Sequence, residues 1–223
     1  MAATLEYRLT LAGATTWAAS TAYNQNDTVR PTSPNNYVYR CTVAGTSGSE
    51  EPTWPTTIGE TVSDGTVTWE CWKTEPDNSL GGIMSSTTLS ETAMNNLFDN
   101  VSPDEASDGD TEYRALDIYN SGDATATNVA LYMKTETSSP DTQLDLGYDS
   151  DNSPHASDAN LPTISDEDTA PSGISFAHYT SSSKLSLPDI PAGQAVRVWA
   201  KRIVSANAGN TSNDLGTIAV EYA

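Results

Sequence analysis

Two short runs constrain this chain more than anything else in it. Tyr37-Val-Tyr-Arg-Cys41 and Thr66-Val-Thr-Trp-Glu-Cys71 alternate with period two, the signature of a strand that buries one face. Tyr37, Tyr39 and Cys41 fall on one side of the first run, and Val67, Trp69 and Cys71 on one side of the second. The segment between them is rich in Gly, Pro, Ser and Thr and holds one aromatic, Trp54, between Pro52 and Pro55. Asp64-Gly65 is a turn signal just before the second run. A stretch this short, with few aliphatics, has to build a small β-module around aromatic rings.

The order Trp17, Ala22-Tyr23, Val29-Arg-Pro-Thr32, Tyr37-Val-Tyr-Arg-Cys41, Ala44-Gly-Thr-Ser-Gly48, Glu51-Pro-Thr-Trp-Pro55, Val62, Asp64-Gly65 and Val67-Thr-Trp69 carries a resemblance. It looks like the small module repeated across tailed-bacteriophage virion proteins, which is itself similar to chitin-binding-type carbohydrate modules. The resemblance runs from Trp17 to Trp72, and the later chain resembles accessory domains of phage structural proteins more loosely. It implies a structural protein of the virion, made in the host cytoplasm, that decorates the capsid and binds the major capsid lattice. The alternative it implies is a tail, neck or baseplate accessory protein that binds host-surface glycans through the module. The partners it implies are capsid or tail proteins and further copies of the chain, a trimer first among the cyclic forms that suit a lattice.

Charge narrows the partners further. Thirty acidic residues against ten basic ones give a net charge of −20, which disfavours phosphate neutralisation on nucleic acid and contact with anionic membranes. Hydrophobic residues are 36%, below the usual globular share, and suit many short strands joined by turns. No run approaches membrane-span length, and the N-terminus lacks the basic and apolar regions of a signal peptide.

Taken in order, the chain divides into three. Residues 1–75 are expected to form the small β-module, with Thr4–Leu11 as a strand that alternates Leu5, Tyr7, Leu9 and Leu11 against polar residues. That strand either closes a sheet in this module or adds to the sheet edge of a neighbouring subunit. Residues 76–110 carry seven acids and no base and read as a partly ordered linker. Within it Ser90 is placed to cap one or two helical turns, and Leu97, Phe98 and Val101 need an apolar surface, most simply the domain that follows. Residues 111–223 contain about seven alternating runs separated by turns, the pattern of an immunoglobulin-like β-sandwich. Trp199 is its natural core aromatic, and the cysteine pair of antibody domains is missing. The fold class is thus all-β: an aromatic-rich module followed by an Ig-like sandwich.

Candidate chemistry is sparse. Neither His155 nor His178 stands in a nucleophile motif, and no phosphate-binding loop, dinucleotide fingerprint or zinc-protease motif occurs. The chain reads as a non-enzyme without a cofactor. Cys41 and Cys71 are a disulfide if their strands are neighbours, or two buried thiols if made in a reducing cytosol. They and two remote histidines are too few for zinc. Asp149 to Asn160 has Pro154 and Asn160 where an EF-hand needs Gly and Glu, leaving at most a looser calcium loop on Asp149, Asp151 and Asp158. Asp166-Glu-Asp168 reads as a solvated loop tip.

Trp54 with Tyr37 and Trp69 is a candidate sugar-stacking platform. The competing reading makes the same rings core, because each buries about 150–250 Å². Leu5, Tyr7, Leu9, Leu97 and Phe98 are the candidate assembly contacts, since they are apolar side chains in segments of weak intrinsic order.

Overall fold

The computed structural model describes residues 2–11, 14–33, 35, 37–74, 79–90 and 96–223. Those residues are almost entirely β, with one short α-helix among them. The chain forms two compact units, one of Leu11–Asp77 and one that joins Met1–Thr10 to Asn78–Ala223. The strands are β1 (Leu5–Leu11), β2 (Thr15–Thr16), β3 (Ala22–Tyr23), β4 (Thr28–Arg30), β5 (Tyr37–Val43), β6 (Gly45–Thr46), β7 (Thr61–Asp64), β8 (Val67–Thr74) and β9 (Ile83–Thr88). Helix α1 (Pro103–Asp108) follows, then β10 (Asp110–Asn120), β11 (Ala130–Thr135), β12 (Thr142–Tyr148), β13 (His155–Ala156), β14 (Phe176–Ala177), β15 (Leu185–Ser186), β16 (Gln194–Val204) and β17 (Thr217–Glu221).

In the small unit the two runs expected to be strands, β5 and β8, pair antiparallel at the centre of a sheet ordered β2-β4-β5-β8-β7. β2 and β4 run parallel, while β3 and β6 form a separate two-stranded ribbon. Asp64-Gly65 makes the β7–β8 turn, with Gly65 at φ +59°. A Cβ there would collide with the Thr46 carbonyl, so a side chain at this position is excluded by space as well as by backbone conformation. The core is Trp17, Val29, Tyr39, Cys41, Val67, Trp69 and Cys71, an aromatic core as the alternation requires. The cysteines are free and fully buried. The register explains why they are unbridged: Cys41 lies opposite Trp69, and Cys71 opposite Tyr39. Burial pushes both thiols above their usual range, which makes them packing groups rather than nucleophiles.

The larger unit is a two-sheet sandwich. One sheet runs β14-β12-β16-β10-β1-β9, with β13 also on β16, and the other runs β15-β11-β17. Leu9, Leu116, Ile118, Leu146, Val196, Val198 and Ala200 on the large sheet meet Leu131 and Leu185 on the small one. The far face of the large sheet is also covered, by Leu80, Ile164, Ile174 and Phe176 packed around Ala115 and Trp199. A strand buried on both faces loses its polar alternation, which is why Ala195 to Ala200 is buried throughout.

Two expected boundaries move. β1 belongs to the sandwich and not to the module, pairing with β10 through Leu5↔Asn120 to Arg8↔Asp117. It lies between β10 and β9, so it is an internal strand rather than a free arm. Removing residues 1–11 would therefore excise part of the core sheet. The expected linker 76–110 is likewise built into the sandwich, since β9 extends the large sheet and Ser79 bridges β1 and β10 by accepting from Ala115 N and donating to Thr10 O. Gly81, at φ +93°, carries the chain so close to the Pro162 carbonyl that a Cβ would not fit. The helix expected after Ser90 falls largely on residues 91–95, outside the described residues. The helix that is described, α1, has a capping box of Ser102 and Glu105 with Pro103 in its first turn, a signal present in the sequence.

Candidate functional site

The small unit carries an open groove of about 330 Å³ lined by Pro31, Ser33, Asn35, Glu51, Pro52, Thr53 and Trp54. Trp54 forms one wall and is locked from behind. Its ring lies 4.3 Å from that of Tyr39 and 6.0 Å from that of Trp69, and its Nε1 donates to Glu51 Oε1 at 2.8 Å. Glu51 is fixed in turn by Thr32, whose backbone N donates at 2.8 Å and whose hydroxyl donates to the other carboxylate oxygen. Tyr39 Oη donates to Pro55 O at 2.7 Å and accepts from Asn35 Nδ2 at 2.8 Å, and burial pushes its phenol up to about 12.

The three residues expected to form a platform do not form one. Trp69 has 0% exposure and sits edge-on to Tyr23 at 4.9 Å, so no sugar ring can reach it. Tyr37 is half-buried against the same core as Trp54. Only Trp54 borders the groove, and it is a core residue with one accessible side, because β5 and β8 turn their aromatics inward and the Pro52–Pro55 loop brings Trp54 over them.

Asp64, read from sequence as a turn residue, does more. Its Oδ2 accepts from Trp17 Nε1 at 2.7 Å and Trp69 Nε1 at 2.9 Å, and its Oδ1 accepts from Gly48 N at 2.7 Å. A buried carboxylate with three donors holds two indoles in fixed orientation, and no sequence pattern marked it.

The sandwich holds two buried ionic groups, one on each face of the large sheet. On the loop-covered face, Asp117 and Arg197 are cross-strand partners on β10 and β16. Arg197 Nε and Nη2 donate to Asp117 Oδ1 and Oδ2 at 2.7 and 2.9 Å, and Nη2 also reaches Gly82 O at 2.9 Å. His155 Nε2 lies 3.1 Å from Asp117 Oδ1. Burial alone would raise the Asp117 carboxyl, but the Arg197 charge and the hydrogen bonds from Arg197 and His155 more than offset it, and it is held below the usual carboxylate range.

At one end of the core-facing side, Glu112 contacts Arg202 and lies 3.8 Å from Arg114, and Arg114 also contacts Glu167. Asp99, Glu112 and Glu167 are the one trio, among the described residues, whose acidic oxygens come within 4.8 Å of one another. Arg202 contacts Glu112 and Arg114 contacts Glu167, so the trio is part of an ion-pair network.

Leu97 and Phe98 dock on the sandwich core, as their apolar character demanded, and Leu5, Tyr7 and Leu9 face that core too. Those five residues are used within the folded chain. In the looser calcium loop, Asp149 accepts from Asn152 N and Nδ2 and caps a short turn at Ser150–Asn152, and it makes no cluster with Asp151 and Asp158 among the described residues. His178 is half-exposed, with Nδ1 2.9 Å from Leu144 O and Nε2 3.3 Å from Glu136. No known protein family, curated protein or solved structure matches the chain.

Proposed function

We propose that the chain is a non-enzymatic structural subunit of a tailed-phage virion that decorates the capsid surface by binding the major capsid lattice. The order of residues from Trp17 to Trp72 carries this reading, since it resembles the module of such virion proteins. The internal economy of the chain is in keeping with it. The buried charged side chains Asp64, Glu112, Asp117 and Arg197 are each engaged in holding strands or rings together. The sandwich is taken as immunoglobulin-like in kind, and the edge strands of its sheets offer backbone for docking on a repeating surface. Net charge of −20 keeps free copies apart until a complementary surface offsets the repulsion. The test is to add the purified protein to particles lacking it and to measure occupancy by sedimentation. Saturable binding to heads supports the reading, and no binding to any particle part sinks it.

The groove beside Trp54 favours a second reading, in which the protein sits on tail, neck or baseplate and binds a neutral glycan through the module. Proline rings and one indole beside small polar groups suit a sugar ring, and the acidic surface disfavours anionic ligands. The Trp54 indole N–H resonance should shift when neutral oligosaccharides are titrated in, and a resonance that stays put at saturating sugar removes this reading. Because Trp54 packs on Tyr39, Trp54→Ala should also cost the module about 2–4 kcal/mol, whereas Trp54→Phe should cost about 1 kcal/mol. Urea midpoints of the two variants check this, and equal midpoints would show that Trp54 is not core.

A further inference from the structure

The segment Leu97-Phe98-Asp99 lies across the end of the sandwich and is gripped by two arginines from adjacent strands. Arg114 Nε donates to Leu97 O at 3.1 Å, and Arg202 Nη1 donates to Asp99 O at 2.7 Å. The Phe98 ring has both guanidiniums near it, at 5.5 Å for Arg114 and 5.0 Å for Arg202. The Asp99 carboxylate lies 3.5 Å from Arg202. Behind the two arginines is Glu112, only 1% exposed. It is faced by Arg114 on its own strand, Arg202 on β16, Glu167 on the loop before β14 and Asp99 on the strap.

The charges can be balanced one by one. Two guanidiniums face three carboxylates, Asp99, Glu112 and Glu167, so with all three ionised the cluster carries one surplus negative charge, and Glu112 is its most buried acid. If the strap lifts, Asp99 leaves with it. Two guanidiniums then face two carboxylates, and ionised Glu112 is no longer in surplus. Strap docking and a proton on Glu112 therefore favour each other.

We propose that Leu97–Asp99 is a pH-gated strap on the sandwich, docked while Glu112 holds a proton and released more readily once Glu112 ionises. Its release uncovers the apolar end of the core on which Leu97 and Phe98 pack. Burial pushes the Glu112 carboxyl up to about 7 in the docked form, against the pull of Arg202 and Arg114, which puts the gate near neutrality. The sign follows: the docked form binds the proton more tightly than the open form, so docking is favoured at low pH and the advantage fades as pH rises through about 7. Each unit by which docking raises that value changes the open-to-docked ratio about tenfold.

The chain has two phenylalanines, Phe98 and Phe176, so 4-fluorophenylalanine gives one reporter on the strap and one internal control in the sandwich. The reading is the shift of each fluorine resonance between light and heavy water, a measure of exposure. From pH 6 to pH 8 the open-to-docked ratio read at Phe98 should rise by up to about tenfold in all, because the change saturates once pH passes the docked value, while Phe176 stays constant. Glu112→Gln should keep Phe98 covered across the range. Asp99→Asn, a change at a solvent-exposed carboxylate, should shrink the pH dependence by removing one of the charges that compete with Glu112, leaving the part that burial supplies, and it decides the matter if the Gln variant does not fold. Unchanged Phe98 exposure in the parent protein, a pH dependence that survives in folded Glu112→Gln, or one left undiminished in Asp99→Asn overturns the proposal.

Discussion

Asp117→Ala should destabilise the sandwich by about 3–5 kcal/mol, the cost of leaving a buried charge without its partner. Arg197 has 0% exposure and would keep only the Gly82 carbonyl as a close acceptor. For a unit of this size the melting midpoint should fall by roughly 10 °C. Arg197→Met should be damaging too, since it leaves Asp117 with His155 alone. Replacing both residues by apolar ones of similar volume should recover much of the loss, because the pair holds two charges out of water whose attraction only about offsets their desolvation. The double-mutant cycle therefore carries the argument. A loss below about 1 kcal/mol for Asp117→Ala would show that water reaches Arg197. Acid should act through the same group: its folded value lies below its unfolded one, so its contribution is present above the usual carboxylate range and lost as pH falls through the folded value. Arg197→Met should flatten that acid limb.

Asp117 and Arg197 also show where the sequence stops being legible. The alternating run Thr142–Tyr148 has the bounds of β12, and β10 and β16 extend the runs Tyr113–Tyr119 and Ala195–Ile203 by one to three residues at each end, because period two survives in any strand with a defined inner face. The same pattern does not name a partner. Thr4–Leu11 is plainly a strand, yet its neighbour is β10, more than a hundred residues away, and the nearer module was the natural guess. Arg197 interrupts Val196 and Val198 as an outward residue would, and only the loops folded over that face make it a buried one. Those loops have no period to read. β9 was missed because Ile-Met-Ser-Ser-Thr-Thr does not alternate and follows Gly81-Gly82. In the module, the aromatic core was visible in Tyr39 and Trp69, whereas the groove depends on how the Pro52–Pro55 loop closes, which composition does not determine.

The small unit should fail at Asp64 while the sandwich stands. Asp64→Ala strands two indole N–H groups in a dry core and the half-buried Gly48 N–H beside them, at about 1–3 kcal/mol for each buried donor left unpaired. A domain this small has about 3–10 kcal/mol in total to lose, so the substitution should bring the module near or past its unfolding midpoint at room temperature. Asp64→Asn keeps the size and one acceptor but turns an amide N–H₂ toward donors, and should recover only part of the loss. The measurement is urea unfolding followed by tryptophan emission. Trp17, Trp54, Trp69 and Trp72 lie in the module and Trp199 in the sandwich, so the signal reports chiefly on the smaller unit. In the parent protein, emission should change mostly in the module's transition. In Asp64→Ala it should already be red-shifted without urea, while far-ultraviolet dichroism still shows the sandwich unfolding at its original midpoint. A module that keeps its blue-shifted emission and its midpoint in Asp64→Ala would mean that Trp17 and Trp69 find other acceptors. The aromatic packing of Tyr23, Tyr39, Trp54 and Trp69 would then be sufficient to hold the module without a polar centre.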